Sequence, residues 1–342
     1  MVAPEKRYAT WDHPEKVRLP DYLESARISS YKAAVLSLIQ QNRATNFMRY
    51  TILSGLLAAF VQVAWAQPAP PESTGTAQVS APKPIDRSQY NPFNPTPSDE
   101  LREFWPDRPY VTDSPYTVDP GHWLLEDGLF EYTHNDHARS RLDSFAFGDT
   151  NIRFGVTSHV EGELAFTAYS YILTTNKNTG EQMKRSGFSD LTLRSKINIL
   201  GDDGGPVGIG LLGFVTFPTG ADGIGDRGFA GGGALPVEFI LPAGFQLRTE
   251  STIETVHQPG GGSHFDYLNS VSLGHPITKR LSTYIEFWTD VTTEAHSSWI
   301  GTVDTGLIYE PIKNWELDAG ANIGVTRAAN DVFVFVGAAW RY

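Results

Sequence analysis

Charged and aromatic residues spaced two apart are the part of this 342-residue sequence best suited to do chemistry. Tyr284, Glu286, Trp288 and Asp290 alternate with apolar residues, as do Glu316 and Asp318, while Asp190, Arg194, Lys196 and Asp304 keep the same spacing in their own segments. A β-strand turns every second side chain to one face, so these residues would line a common polar space. Charges and ring faces arranged this way act on a passing solute by electrostatics and hydrogen bonding, without making or breaking bonds. Counted over every segment of this type, the inward face carries about twelve acids against five bases, a bias that disfavours anionic solutes. The same charges would equally serve as an ion-pair network that stiffens the wall. The ring faces of Tyr169, Tyr171, Tyr284 and Trp288 offer a sliding surface for aromatic molecules, although Tyr and Trp also gather at membrane interfaces.

Bond-making chemistry finds little support. His134 and His137 in HNDH lack a third ligand in register, so no metal is expected. The glycine-rich GDRGFAGGG around Gly225 has no strand-to-helix context and is not a nucleotide loop. There is no nucleophile elbow and no cysteine, hence no thiol nucleophile, thiolate metal site or disulfide framework. An enzyme is not expected, and neither is a cofactor. The net charge of -12 argues against nucleic acid as a partner.

What could position alternating charges is set by the last twelve residues, DVFVFVGAAWRY. Val332, Val334, Val336, Ala338, Trp340 and Tyr342 share one face, with Phe333, Phe335, Gly337, Ala339 and Arg341 on the other. A final strand that closes on an aromatic residue is expected of an outer-membrane β-barrel, whose last strand must pair with the first to leave no open edge in lipid. Such a strand, with Trp340 and Tyr342, would also be what the barrel-assembly machinery engages. A mean hydropathy of -0.26 does not oppose this reading, because a barrel wall points half of its residues away from lipid. In WELDAGANIGV the apolar set from Trp315 to Val325 would face lipid and Glu316, Asp318 and Asn322 the inside. Parity alone fits a soluble sandwich as well, and the export signal below is what separates the two.

Four regions follow. Residues 1–47 read as a leader or as sequence ahead of the true start at Met48. Residues 48–66 read as a secretory signal peptide, with an apolar run too short to span a membrane and an Ala64-Trp65-Ala66 cleavage site. Residues 67–120 are dense in proline and read as an extended, partly disordered periplasmic arm. Residues 121–342 read as a closed antiparallel barrel of about twelve strands, the fourth over 187–199. Short turns at one end alternate with longer loops such as HNDHARSRLD and TTNKNTGEQMKRS at the other, the pattern of transmembrane barrels. Both termini of the barrel would then be periplasmic.

The runs DRPYVTDSPYTVDPGHWLLEDG (107–128), GFSDLTLRSKINILGDDGGPVGIGLLGFVTFPTG (187–220), ITKRLSTYIEFW and the C-terminal DTGLIYEPIKNWELDAGANIGV with its final strand resemble the bacterial outer-membrane family named for the MetA pathway of phenol degradation. The likeness covers roughly Asp107 to Tyr342. Its recurring residues fall here on Asp190, Lys196, Pro218, Thr219, Gly220, Glu286, Gly306 and Asp318. The resemblance implies an outer-membrane barrel that passes organic compounds. Together these readings give a channel in outer-membrane lipid for small hydrophobic or aromatic solutes. The alternatives are a non-transporting barrel that binds partners, or a barrel lipid hydrolase.

Overall fold

The computed structural model describes residues 85–226, 228–257, 262–294 and 297–342; the leader and signal peptide expected over 1–66 lie outside them. Thirteen strand segments follow in order: β1 (Trp123–Asp136), β2 (Ser140–Thr157), β3 (Val160–Asn176), β4 (Gln182–Gly187), β5 (Leu191–Leu200), β6 (Val207–Phe217), β7 (Ala230–Ile240), β8 (Gln246–His257), β9 (Ser263–Pro276), β10 (Leu281–Thr292), β11 (Ile300–Tyr309), β12 (Trp315–Gly324) and β13 (Val332–Arg341). Each pairs antiparallel with its neighbour, and β13 returns to pair with β1, from Leu124 opposite Arg341 to His134 opposite Val332. Segments β4 and β5 share one place in the wall, both bonded to β3, so the sheet is a closed ring of twelve strands. Closure at the seam is completed outside the strands. Trp123 N–H donates to the Tyr342 carbonyl at 3.1 Å, and Tyr342 N–H to the Trp123 carbonyl at 2.8 Å.

The ring inverts the usual distribution of polarity. Ile285, Leu193 and Leu307 are more than half exposed, whereas Lys196, Glu161, Glu238 and Asp304 are 0% exposed. An apolar outer face is what lipid accepts, and closure satisfies the backbone groups that hydrocarbon cannot. The alternation expected in β10 and β12 is present: Tyr284, Glu286, Trp288 and Asp290 are buried within, as are Glu316 and Asp318, while Phe287, Leu317 and Ile323 are exposed.

Three expectations are corrected. The connections expected to be long after β1 and β3 are short, residues 137–139 and 177–181, because β2 and β3 run on for 18 and 17 residues where most strands have 10 to 14. The fourth strand starts earlier than 187 and breaks at Phe188-Ser189-Asp190, where Ser189 N–H donates to the Thr167 carbonyl of β3 at 3.0 Å and Ser189 Oγ accepts from Thr167 N–H at 2.6 Å. Tyr169 and Tyr171 are not lumen residues. Gly148 takes a left-handed φ of 65°, and across it the inward set of β2 changes from Asp149, Asn151 and Arg153 to Ala146 and the buried Leu142. Cross-strand pairing then turns Tyr169 with Phe147, and Tyr171 with Phe145, to the outer surface. There they extend a group that includes Phe130 and Tyr132, the aromatic girdle of a membrane interface.

Deleting Tyr342 removes both terminal seam bonds and strands the Trp123 backbone. Reduced assembly of the deletion variant in the membrane, with loss of heat-modifiable mobility on detergent gels, is the expected outcome.

Candidate functional site: the lumen and its plug

The proline-rich stretch does not behave as a linker over its described part. Residues 102–119 form a loop that enters the ring from the short-turn end, turns at Val111–Asp113 and returns. Its base is stapled where Arg102 N–H donates to the Asp119 carboxylate at 3.1 Å, and its middle where Ser114 N–H donates to Asp107 at 2.8 Å. Arg102, Asp107, Arg108, Thr112, Asp113, Ser114, Thr117 and Asp119 are all less than 9% exposed. With Val118, they contact residues on β1, β2, β3, β5, β8, β10, β12 and β13, which a single short loop can do only from inside the barrel.

For residues 102–119 this placement corrects the expectation of a partly disordered periplasmic arm over 67–120, and the reason lies in the backbone. Proline-rich chain cannot join a ladder, so its remaining N–H groups need other acceptors once they are removed from water. The wall supplies carboxylates. Asp107 N–H donates to Glu126 at 2.9 Å, Val111 and Thr112 N–H both to Glu286 at 2.8 and 3.0 Å, Asp113 N–H to Glu250 at 2.8 Å, and Val118 N–H to Glu161 at 2.6 Å. Thr117 N–H reaches Asp202, in the turn after β5, at 2.9 Å. Much of the lumen's acid is therefore engaged in holding the plug.

Ion pairs add orientation. Lys196 Nζ sits 2.9 and 3.0 Å from the two oxygens of Asp107, and Arg153 bridges Asp107, Glu126 and Glu161 at 2.8 to 3.2 Å. Burial works to raise the Asp107 carboxyl, but the cations of Arg153 and Lys196 outweigh it and hold the group well below the usual carboxylate range. Arg108 donates through Nε and Nη2 to Asp318 at 3.2 and 2.9 Å and lies over Phe335, 5.6 Å from the ring centre. Gly337 makes this possible, since a Cβ there would stand 2.2 Å from the guanidinium. Arg341 closes the base of the loop, bonding Asp119 at 3.2 Å and the Arg102 carbonyl at 2.9 Å.

Above the loop tip a cavity of about 160 Å³ opens in the half of the lumen nearer the long connections. Val111 and Asp113 form part of its floor. Leu212, Phe214, Leu268, Trp288 and Phe333 make an apolar wall, with Glu250, Asp149 and Arg194 among the polar lining. A dry cavity of about 150 Å³ is large enough to hold benzene.

Similarity to known proteins takes in the plug as well as the barrel at the level of the family. A family model described as the MetA-pathway of phenol degradation matches residues 106–342, from the residue before Asp107 to Tyr342. The chain belongs to that family. No curated protein matches the sequence. Among solved structures, an outer membrane channel from Pseudomonas putida F1 superposes with a TM-score of 0.50 at 12% identity, over 66% of this chain and all of that one. The NanC porin gives 0.42 at 8% identity over 64% of this chain and 98% of that one. An anion-selective porin from Comamonas acidovorans gives 0.34 at 8% identity, over 65% and 98% respectively. The first likeness supports the outer-membrane barrel fold; the other two add no argument.

Within this MetA-pathway barrel the sequence-predicted residues separate into three groups. Arg194, Lys196, Tyr284, Glu286 and Asp318 all touch the plug: Tyr284 donates to the Pro109 carbonyl at 3.2 Å and its ring lies 4.4 Å from that of Tyr110, and Arg194 reaches Asp113. Asp290, Asp304 and Glu316 are buried in the wall, Asp304 cross-strand from Glu286 and Glu316 opposite Ala339. Asp190 is not a lumen residue of a strand. It lies at the β4–β5 break and accepts from Gly220 N–H at 2.6 Å, while Thr219 Oγ1 accepts from Leu191 N–H at 3.0 Å. So Asp190 and the Pro218-Thr219-Gly220 turn form one lock that ties a long connection to the wall. Trp340 stacks on Trp315 at 5.4 Å on the outer face, near the seam. Missed from sequence were the plug residues Asp107, Arg108, Thr112 and Asp113, and their partner Glu126. The one available signal was that the family resemblance already began at Asp107, inside a supposed linker.

Two outcomes are expected. Lys196→Met leaves Asp107 facing one fewer cation in a fully buried site and should destabilise the folded barrel by about 3–5 kcal/mol, read from unfolding in denaturant. Because the Asp107 carboxyl is depressed in the folded state, its contribution is complete above its unfolded value of about 4 and is lost as pH falls further. The protection factors of the amides at residues 107–114, that is, exchange corrected for its intrinsic pH dependence, should therefore be high at pH 7 and fall below about pH 4, and a fall in protection on raising pH from 6 to 8 would refute this.

Proposed function

We propose that the chain is an outer-membrane channel for small hydrophobic or aromatic organic molecules, exported by residues 48–66, with the plug and both barrel termini on the periplasmic side. The cavity above the plug carries this reading: it is ring-sized, and Leu212, Phe214, Leu268, Trp288 and Phe333 give it apolar lining. Solute would rest on Val111 and Asp113 and pass when the loop tip shifts, since the tip is held by neutral donors to Glu286 and Glu250 and by one guanidinium, Arg194. The base, with Arg102, Asp119 and Arg341, would stay anchored. Outer-membrane lipid contacts the exposed apolar belt, and β13 presents the barrel to the assembly machinery.

A second reading is favoured by the plug itself. A lumen crossed by an ion-paired loop is also what a non-transporting, structural barrel would have. Proteoliposome uptake separates the two. The channel reading expects influx of benzene-sized neutral aromatics above protein-free vesicles, slow or absent sugar flux, and at least a threefold gain in ion conductance when Glu286→Ala frees the tip. A folded protein that passes neither aromatics nor ions, before or after that substitution, is a structural barrel.

A further inference from the structure

We infer that the cavity above the plug binds small aromatic cations, a single ring carrying a primary ammonium group, with the ammonium on the Asp113 and Glu250 carboxylates and the ring among Phe214, Leu268, Trp288 and Phe333. The inference names the solute class of the channel proposed above and rests on that reading only for the step of passage.

Charge around the cavity is lopsided. Among its described lining residues five are acids, Asp113, Glu131, Asp149, Glu250 and Glu254, and one is a base, Arg194. That base is already engaged on both sides, its Nη2 on Asp113 at 2.5 Å and its Nε 3.1 Å from Glu163. Asp113 is 7% exposed, yet its Oδ1 has no hydrogen-bond partner among the described residues. Glu250 receives only neutral donors, Asp113 N–H at 2.8 Å and Thr252 Oγ1 at 2.7 Å, which leaves carboxylate lone pairs unfilled. A buried carboxylate oxygen without a partner is costly, and an ammonium group supplies three donors together with the missing charge. A hydroxyl supplies one donor and no charge. A carboxylate solute would meet five acids and a base that is already taken.

Size and the apolar wall set the other half of the ligand. The volume admits one ring, and Trp288 and Phe333 are aromatic residues of the lining, the residue type that a cation-bearing ring packs against. Apolar side chains on β6, β9 and β10 flank Glu250 on β8, so apolar contact and charge line the same space, a pairing that selects an amphiphilic cation over an inorganic one.

Calorimetry on the full-length folded protein in detergent, with benzylammonium, benzyl alcohol and benzoate as probes, tests this. At low salt benzylammonium should bind at least tenfold tighter than benzyl alcohol, benzoate should show no heat of binding, and the gap should narrow as salt is raised. In the double variant Asp113→Asn, Glu250→Gln the tenfold preference should vanish, the two ligands then binding within twofold of each other. Because those two residues also hold the loop tip, Trp288→Leu is the control: it should weaken both ligands at least fivefold with heat-modifiable mobility intact. Equal affinity for the three probes, a preference for benzoate, or a cation preference that survives in the double variant overturns the inference. Tight, selective binding without vesicle uptake would overturn the channel reading alone; uptake of neutral aromatics with no cation preference in binding would overturn this inference alone.

Discussion

Everything inside this barrel answers to one constraint: an N–H group in the lumen has neither a sheet partner nor free access to water, and it must still be satisfied. The wall spends its own N–H and C=O groups on ring closure, so the loop at 102–119 has to find acceptors among side chains. Carboxylates are the strongest ones available. Glu126, Glu161, Glu250 and Glu286 each take a backbone N–H of the loop, and Glu286 takes two. The acid excess of the lumen and the proline content of the loop are then two sides of one solution. Fewer donors need housing, and those that remain are met by acceptors already fixed on strands.

The bases complete the arrangement at a few points. Arg153 and Lys196 gather Asp107, Glu126 and Glu161 into a single buried cluster, while Arg108 and Arg194 tie the loop to opposite sides of the ring. Buried pairs of this kind add little net stability over apolar packing, but they are severe when broken, which makes them suited to fixing one geometry. The tip at Val111–Asp113 is held less heavily than the base, and it is the tip that forms the cavity floor. Asp113 belongs to both: its amide helps dock the loop and its carboxylate faces the cavity. A solute in that cavity would meet the same local field that docks the loop.

Much of this was legible from residue spacing where strands are regular. Alternation over 281–291 and 315–325 placed Tyr284, Glu286, Asp290, Glu316 and Asp318 inside, because a strand's period of two admits only one such assignment once the outer face is apolar. Tyr169 and Tyr171 were misplaced because a single left-handed glycine, Gly148, shifts the phase of the wall above it, and nothing in the letters G-D-T marks that shift. Asp190 was misplaced because the strand it was assigned to is broken just before it. The plug was missed for a different reason. Its composition is that of solvated chain, and it is docked by wall partners from 19 positions away, Glu126 for Asp107, to 239, Arg341 for Arg102, which no local window contains.

Arg341 links the two themes. It lies on the strand that shuts the ring, opposite Leu124, and its guanidinium grips the loop's base at Asp119 and the Arg102 carbonyl. Sliding β13 by one position would swing that cation to the acyl-chain side and drop the latch in the same movement. The stagger between first and last strands is thus indexed by a charge, so that a wrongly sheared cylinder is also one whose stopper hangs loose.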